Sequence, residues 1–276
     1  MFAYGRRGFW NTMANMQLTV LGSGTSVPHP RRSSPAFWLE ASGEKVLLDF
    51  SVSAMGRMLD EGLPWHELDA VWISHFHLDH CGGLPPFLFG SRYAAEMRDR
   101  RKALRIFGGK GLKDLLMRFN NLNNYKLFDQ PFPIEITEVE PLEKFEIAPH
   151  LDAVALETPH TDESLAIHIR SRDDATLVYT GDTGFSETLA AFARRVDLLL
   201  IEASFPRNKP GENHLDLAEA MYLIRKAGPG RAVLTHLYPD WDDVDLEAEA
   251  AKLSPGQKVV RAFDGLKLAV PDKIEN

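Results

Sequence analysis

The chain has 276 residues, 44% of them hydrophobic and 25% charged, the balance of a core-forming chain rather than a disordered one. No apolar stretch approaches the roughly 18 residues needed to span a bilayer, and the single cysteine, Cys81, excludes an internal disulfide framework and a four-cysteine zinc module. A net charge of −8 argues against a surface that coats nucleic acid throughout, while leaving room for a local basic patch.

Residues 1–15 carry Arg6 and Arg7 but no apolar run of signal-peptide length. They read as an N-terminal extension, as an upstream start or as a helper strand. The folded unit is expected to open near Met16 and run to residue 276 as one domain. With no export signal and one thiol, the expected compartment is the cytoplasm.

Short apolar runs between turn signals then read as strands at Gln17–Leu21, Ala36–Leu39, Val46–Phe50, Ala70–Ile73, Leu104–Phe107 and Ile134–Val139. Further strands are expected at Ala153–Leu156, Leu165–Ile169, Ala175–Tyr179, Leu198–Ile201, Ala232–Thr235 and Leu266–Val270. Helical spacing covers Ser51–Glu61, Gly111–Phe119, Ser186–Ala193, Leu215–Ala227 and Leu246–Leu253. There is no repeat and no low-complexity linker. The pattern predicts two sheets with helices outside them, in one α/β domain. Between Arg92 and Lys126 stand ten Lys or Arg and three acids, a local balance of +7. This stretch reads either as a solvated face or as a ramp for an anionic substrate. The interleaved Phe87, Phe89, Tyr93, Phe119 and Tyr125 are either core and rim or a base-stacking surface.

The densest chemistry is Ser74-His75-Phe76-His77-Leu78-Asp79-His80, between the strand Ala70–Ile73 and the turn residues Gly82-Gly83. Three histidines and an aspartate within six residues are hard to explain as packing. In extended chain His75 and His77 point the same way, whereas Asp79 and His80 are adjacent and project differently. That arrangement suits two metals side by side. Imidazole and carboxylate are the ligands of zinc, and also suit manganese or iron. More ligands are needed, and His160, Asp182 and His236 each follow an apolar strand, where open α/β sheets carry their sites.

This pattern resembles the metallo-β-lactamase-fold hydrolases, whose HxHxDH signature is matched at His75–His80 and followed in order by a histidine, an aspartate and a histidine. Within that superfamily the chain is most similar to the ribonuclease Z-like phosphodiesterase branch, from Met16 onward. The supporting segments are Leu21-Gly22-Ser23-Gly24-Thr25 with Arg31-Arg32, Leu47-Leu48-Asp49, the Gly181–Gly184 segment, Glu202-Ala203-Ser204 and His214-Leu215-Asp216. The resemblance implies an αβ/βα four-layer sandwich with two mixed sheets and the metals at one edge. It assigns His75, His77 and His160 to one metal, Asp79, His80 and His236 to the other, and Asp182 to both. Two divalent ions, zinc first, are the implied cofactors.

Two metals sharing a hydroxide can lower its pKa and clamp a phosphate for in-line attack. The leaving oxygen then needs a proton, for which His214 is the candidate, with Glu202 holding its imidazole in one tautomer. Asp79, His214 and Glu202 are therefore the catalytic candidates. Glu and His motifs of the ribonuclease Z branch are thought to pair in this way, although Ile201 stands where that branch often has histidine. Thr161 is a further candidate for a hydrogen bond near the phosphate. His29, His66, His150 and His168 match no motif and are read as surface or packing residues. Cys81 is expected to pack under the loop.

One departure bears on substrate. Ribonuclease Z enzymes of the short form carry a tRNA-gripping arm between the third-motif histidine and the bridging aspartate. Here His160 and Asp182 are only 22 residues apart, room for two strands and a turn. The expected function is a phosphodiesterase for a nucleotide, cyclic phosphate or RNA end, with a small substrate favoured. The alternatives are a lactonase or other carboxyl-ester hydrolase, a tRNA 3′-processing endoribonuclease despite the missing arm, and a metal-binding accessory protein without turnover. No membrane partner is expected, and a homodimer is anticipated only from the habit of relatives.

Overall fold

The computed structural model describes residues 16–271; the expected extension at 1–15 lies outside them. Among the described residues, two mixed sheets of seven strands face each other. The first contains β1 (Met16–Gly22), β2 (Ala36–Ala41), β3 (Glu44–Leu48), β4 (Ala70–Ile73), β5 (Leu104–Gly108), β6 (Ile134–Glu138) and β14 (Lys267–Val270), in the order β14-β1-β2-β3-β4-β5-β6. The second contains β7 (Lys144–Ala148), β8 (Leu151–Glu157), β9 (Leu165–Ser171), β10 (Thr176–Tyr179), β11 (Leu198–Glu202), β12 (Arg231–Thr235) and β13 (Val259–Arg261), in the order β13-β12-β11-β10-β9-β8-β7. Each sheet joins an antiparallel meander to a parallel half: β3 through β6 in the first, β10 through β13 in the second.

The sequence pattern follows from that placement. The parallel strands β4 (AVWI) and β11 (LLLIE) are buried at every position and read as unbroken apolar runs, because both faces are covered. The edge strand β6 (IEITE) alternates half-buried and exposed positions instead. Between the sheets Phe37, Leu39, Trp72, Ile167, Ile169, Leu177, Leu200 and Val233 interdigitate. A second apolar layer packs α1 (Ala54–Asp60), α3 (Leu84–Ser91) and α4 (Leu112–Leu122) on the outside of the first sheet. A third packs α5 (Glu187–Phe192), α6 (Leu217–Ala227) and α7 (Leu246–Leu253) on the second. This is the expected four-layer αβ/βα sandwich.

Four elements depart from the sequence expectation. The strands β7 and β13 are short and mixed with polar residues, so no apolar run announced them. The four-residue helix α2 (Leu78–Cys81) lies inside the histidine motif. The helix α3 reads LPPFLFGS, with two prolines and a glycine against it. Its prolines sit in the first turn, where backbone N–H groups have no helical acceptor in any case, and burial of Leu84, Phe87 and Leu88 supplies what propensity does not. By contrast α6 has the local signals: a capping box between Asp216 and Glu219, and Gly228 in the left-handed conformation at its end (φ 61°).

Candidate metal centre

The chain delivers its histidines and carboxylates to one edge of the sandwich from the C-terminal ends of several strands. From β4 come His75 and His77, and the turn of α2 carries Asp79 and His80. In that turn the amides of His80 and Cys81 both bond back to the His77 carbonyl (2.9 and 3.0 Å). The helical turn is why Asp79 and His80, though adjacent, point differently. His160 follows β8, Asp182 follows β10, and His236 follows β12. His236 has φ 57°, a left-handed conformation that a non-glycine residue rarely adopts. The flanking backbone bonds Leu237 N to Ser23 O and Tyr238 N to Ser204 O hold it there.

Two groups of ligating atoms result. In the first, His77 Nδ1 lies 3.0 Å from His75 Nε2 and 3.1 Å from His160 Nε2, and Asp182 Oδ2 lies 3.7 Å from each of those two Nε2 atoms. In the second, His80 Nε2 is 3.3 Å from Asp182 Oδ1 and 3.6 Å from Asp79 Oδ2. His236 Nε2 is 3.3 Å from Asp182 Oδ2 and 3.7 Å from Asp79 Oδ2. A tetrahedral zinc site with bonds near 2.0–2.1 Å has ligand-to-ligand edges of about 3.3 Å, so these spacings fit. The buried Nε2 atoms of His80 and His236 have no hydrogen-bond partner, which a buried polar atom seldom tolerates. A divalent cation within each group would satisfy them. Asp182 faces both groups.

The opposite nitrogens explain why those lone pairs point inward. His80 Nδ1 donates to Asp49 Oδ2 (2.6 Å) and His160 Nδ1 to the Asn213 carbonyl (2.7 Å). Ser74 Oγ donates to Asp49 Oδ2 (2.8 Å), so its one proton is spent and it accepts from His75 Nδ1 (3.1 Å). Ser204 Oγ likewise donates to Glu202 Oε2 (2.5 Å) and accepts from His236 Nδ1 (2.9 Å). In four imidazoles Nδ1 is thus tied outward and Nε2 is turned toward the groups, the arrangement by which outer hydrogen bonds orient metal-binding histidines. His77 presents Nδ1 instead.

Charge follows the same geometry. Burial, and after it the nearby His80, push the His75 pKa far below the ordinary imidazole value. Burial also lowers that of His160. Both are thereby held in the neutral, ligating form. Burial disfavours charge on Asp182, but His236 and His80 outweigh it and hold the carboxyl well below its usual range.

Beside the second group stands His214, with Asp182, His214 and His236 offering ligating atoms within 4.8 Å of one another. Its Nδ1 lies 3.1 Å from Glu202 Oε1. Glu202 is fully buried at the end of β11 and also accepts from Thr183 N (2.6 Å) and Leu215 N (3.1 Å). Burial works against a charged His214, yet the hydrogen bond and negative charge of Glu202 raise its pKa. His214 does not itself begin a helix: it lies in the turn before Asp216, the true N-cap of α6.

Every residue named as ligand or catalytic candidate from the sequence, namely His75, His77, Asp79, His80, His160, Asp182, His236, Glu202 and His214, therefore converges here. Sequence reasoning did not assign roles to Asp49, Ser74, Tyr179, Ser204 or Asn213. Asp49 was the most visible of these, a carboxylate inside the expected strand Val46–Phe50 and directly after β3, and it also accepts from Tyr179 OH (2.5 Å). The Thr161 hydroxyl, suggested for a hydrogen bond near the phosphate, pairs with Ser164 Oγ (2.6 Å). Cys81 is buried, its thiol pushed up to about 12 chiefly by burial, and it donates to the Phe76 carbonyl (3.3 Å) rather than joining either group. Outside the site His29 pairs with Asp242 (2.9 Å), His150 makes the left-handed turn between β7 and β8, and His168 packs beside Phe192.

At least half of the ten basic side chains in the stretch have partners within the chain, several of them at the surface. Arg100 donates to the carbonyls of His66, Leu68, Lys102 and Ala103. Lys102 pairs with Glu44 and Asp69, Arg105 with Glu135 and Glu146, Arg92 with Asp129, and Arg118 with Asp114. Of the aromatic residues, Phe87 is core, whereas Phe89, Tyr93 and Tyr125 form an exposed cluster. No helix among the described residues is long and apolar enough to cross a membrane.

Comparison with known proteins agrees with this architecture. The family described as the beta-lactamase superfamily domain matches residues 44–237. An uncharacterised protein of Mycobacterium tuberculosis is 31% identical over 260 residues, covering 90% of this chain and 91% of its own length. The ribonuclease Z of Bradyrhizobium diazoefficiens is 25% identical, covering 90% and 98%. Among solved structures, the metallo-β-lactamase-fold protein YhfI of Bacillus subtilis superposes with a TM-score of 0.77 at 22% identity, covering 92% of this chain and 99% of that one. A diphosphatase of the PhnP family gives 0.70 at 23%, covering 92% and 97%. With the family match spanning most of the chain and the two facing sheets built as in its fold neighbours, the protein is a hydrolase of the beta-lactamase superfamily.

Proposed function

We propose that the protein is a zinc-dependent phosphodiesterase whose substrate is a nucleotide, a cyclic phosphate or an RNA end. The observation that carries this reading is the buried Glu202–His214 pair set beside the cluster (3.1 Å). Hydrolysis of a phosphodiester expels an alkoxide, which must be protonated, and a charge-stabilised imidazole is a proton donor for that step. The ribonuclease Z name of a full-length relative and the diphosphatase name of a fold neighbour are both consistent with chemistry at phosphorus.

On this reading His75, His77 and His160 would hold one cation, and Asp79, His80 and His236 the other, with Asp182 shared. Five imidazoles and two carboxylates are a donor set suited to zinc. The two cations would supply a water of lowered pKa and charge stabilisation at phosphorus. Glu202 accepts from His214 Nδ1, which leaves Nε2 to carry the transferable proton to the leaving oxygen. Ser204 connects Glu202 to His236, so the proton donor and a ligand share one hydrogen-bond chain.

The size of the substrate follows from the segment between His160 and Asp182. It holds β9, the turn at 172–175 and β10, an antiparallel hairpin, and no arm. A small substrate is favoured over an intact tRNA. The test is turnover of the zinc- and manganese-loaded protein on bis(p-nitrophenyl) phosphate beside a simple lactone. Diester cleavage that disappears in Asp79→Ala is the expected result. Lactone turnover without diester cleavage would replace this reading with a carboxyl-ester hydrolase.

A further inference from the structure

Asn213, His214 and Leu215 form one short segment to which both halves of the centre are tied. The Asn213 carbonyl fixes the His160 ring, the His214 side chain meets Glu202 Oε1, and Leu215 N donates to Glu202 Oε2. The segment lies outside any helix, since α6 begins at Leu217. Its main chain therefore needs an anchor of its own. Gly184 permits close packing on one side, because a Cβ there would lie 2.1 Å from the Glu212 carbonyl oxygen.

Lys209 is placed on the same segment. Its Nζ donates to the His214 carbonyl (3.1 Å) and pairs with Glu219 (2.9 Å) and Glu212 (3.0 Å). Three ammonium protons meet three acceptors. The side chain is only 10% exposed, unlike that of a solvated surface lysine. Glu212 is 92% exposed and adds little. Glu219 is different, because it is also the third residue of α6 and closes the capping box with Asp216. Lys209 thus bolts the His214 backbone to the start of the helix.

We propose that Lys209 is a positioning residue that sets, through this segment, the orientation of both His160 and His214. The His214 half rests on the phosphodiesterase reading; the His160 half requires only that the cluster binds metal. No atom of Lys209 needs to touch substrate.

The test uses Lys209→Met, which keeps the aliphatic stem, and Lys209→Arg. The first readout is zinc affinity, measured by competition with a chromophoric chelator. The second is kcat and KM on a 2′,3′-cyclic nucleotide in the zinc-replete protein, because its alkoxide leaving oxygen, unlike p-nitrophenolate, needs the proton that His214 would give. Lys209→Met is expected to weaken one zinc equivalent about 10-fold and to lower kcat about 10–100-fold with little change in KM, the scale of losing an outer-shell support. Lys209→Arg should restore part of both. In Lys209→Met/His214→Ala the kcat should fall no further than in His214→Ala alone, because the two act through one group. Unchanged zinc affinity in Lys209→Met would overturn the proposal, as would a kcat loss fully additive with that of His214→Ala. A wild-type protein that binds zinc but cleaves no diester would defeat the phosphodiesterase reading, while the zinc titration still decides the role of Lys209 toward His160.

Discussion

Asp49 and His80, both completely buried, share a 2.6 Å hydrogen bond between Oδ2 and Nδ1. The carboxylate also accepts from the Ser74 amide (2.7 Å), the Ser74 hydroxyl and the Tyr179 hydroxyl. Asp49 itself has φ 59°, a conformation that costs about 1 kcal/mol or more in a non-glycine residue. Four donors converging on one buried carboxylate maintain that strained backbone, and the result is a fixed His80 ring. Asp49→Asn keeps the shape but turns an N–H pair toward donors. It should weaken one zinc equivalent about 10–100-fold, seen in a chelator competition titration. Equal affinity for both equivalents in variant and wild type would reduce Asp49 to a folding residue.

Asp182 offers oxygens to both groups, Oδ1 toward His80 and Oδ2 toward His75, His160 and His236. Asp79 faces only His80 and His236. The two carboxylates should therefore fail differently. Zinc content by elemental analysis is expected at two per chain in the wild type. It should drop to about one in Asp79→Ala and below one in Asp182→Ala, with turnover lost in both. Two zinc ions retained by Asp182→Ala would break the shared-ligand assignment.

Much of this was legible in the residues themselves. The run Ala70–Ile73 announced a strand, and the histidines that follow it were hard to explain as packing. The later candidates were visible as polar residues closing apolar strands. Geometry that depends on tertiary contact was not legible. Ser204 stood in a supporting segment but had no role there, and its role exists only because β11 and β12 run parallel and bring Glu202 beside Thr235, one residue before His236. The helix α3 contradicts its propensities and forms because its apolar face is buried. The +7 stretch could not be apportioned from sequence, since Arg100 and Lys102 are consumed by carbonyls and acids distant in the chain.

His214 should behave as a proton donor that is not a ligand. His214→Ala is expected to retain both zinc ions and lose about 10²–10⁴ in kcat, the range of general acid catalysis. Glu202 raises the His214 pKa above its ordinary value against the effect of burial. The protonated form then persists to higher pH than in a free imidazole and is lost as pH rises through that raised value. The wild-type kcat profile should fall on its alkaline side, and Glu202→Gln should shift that limb to lower pH. Loss of zinc from His214→Ala would make it a ligand instead.

Asp242 gives a stability prediction independent of the metal. Its carboxylate accepts from His29 Nε2 (2.9 Å) and pairs with the buried Arg32 (2.7 Å), and these two contacts lower its pKa to about 2. Arg32 in turn donates to the Tyr238 carbonyl (3.3 Å), so the cluster ties residues 29–32 to the chain beyond His236. A carboxyl whose folded pKa is depressed binds fewer protons in the folded than in the unfolded state between the two pKa values. Its contribution is complete above the unfolded value of about 4 and disappears as pH falls through about 2. Asp242→Asn should therefore lower Tm at pH 7, and the gap from wild type should close as both are titrated from about pH 4 to pH 2. Tracking the difference cancels the other carboxyls that titrate in the same window. A gap that stays constant down to pH 2 would assign the loss to altered packing rather than to the ion pair.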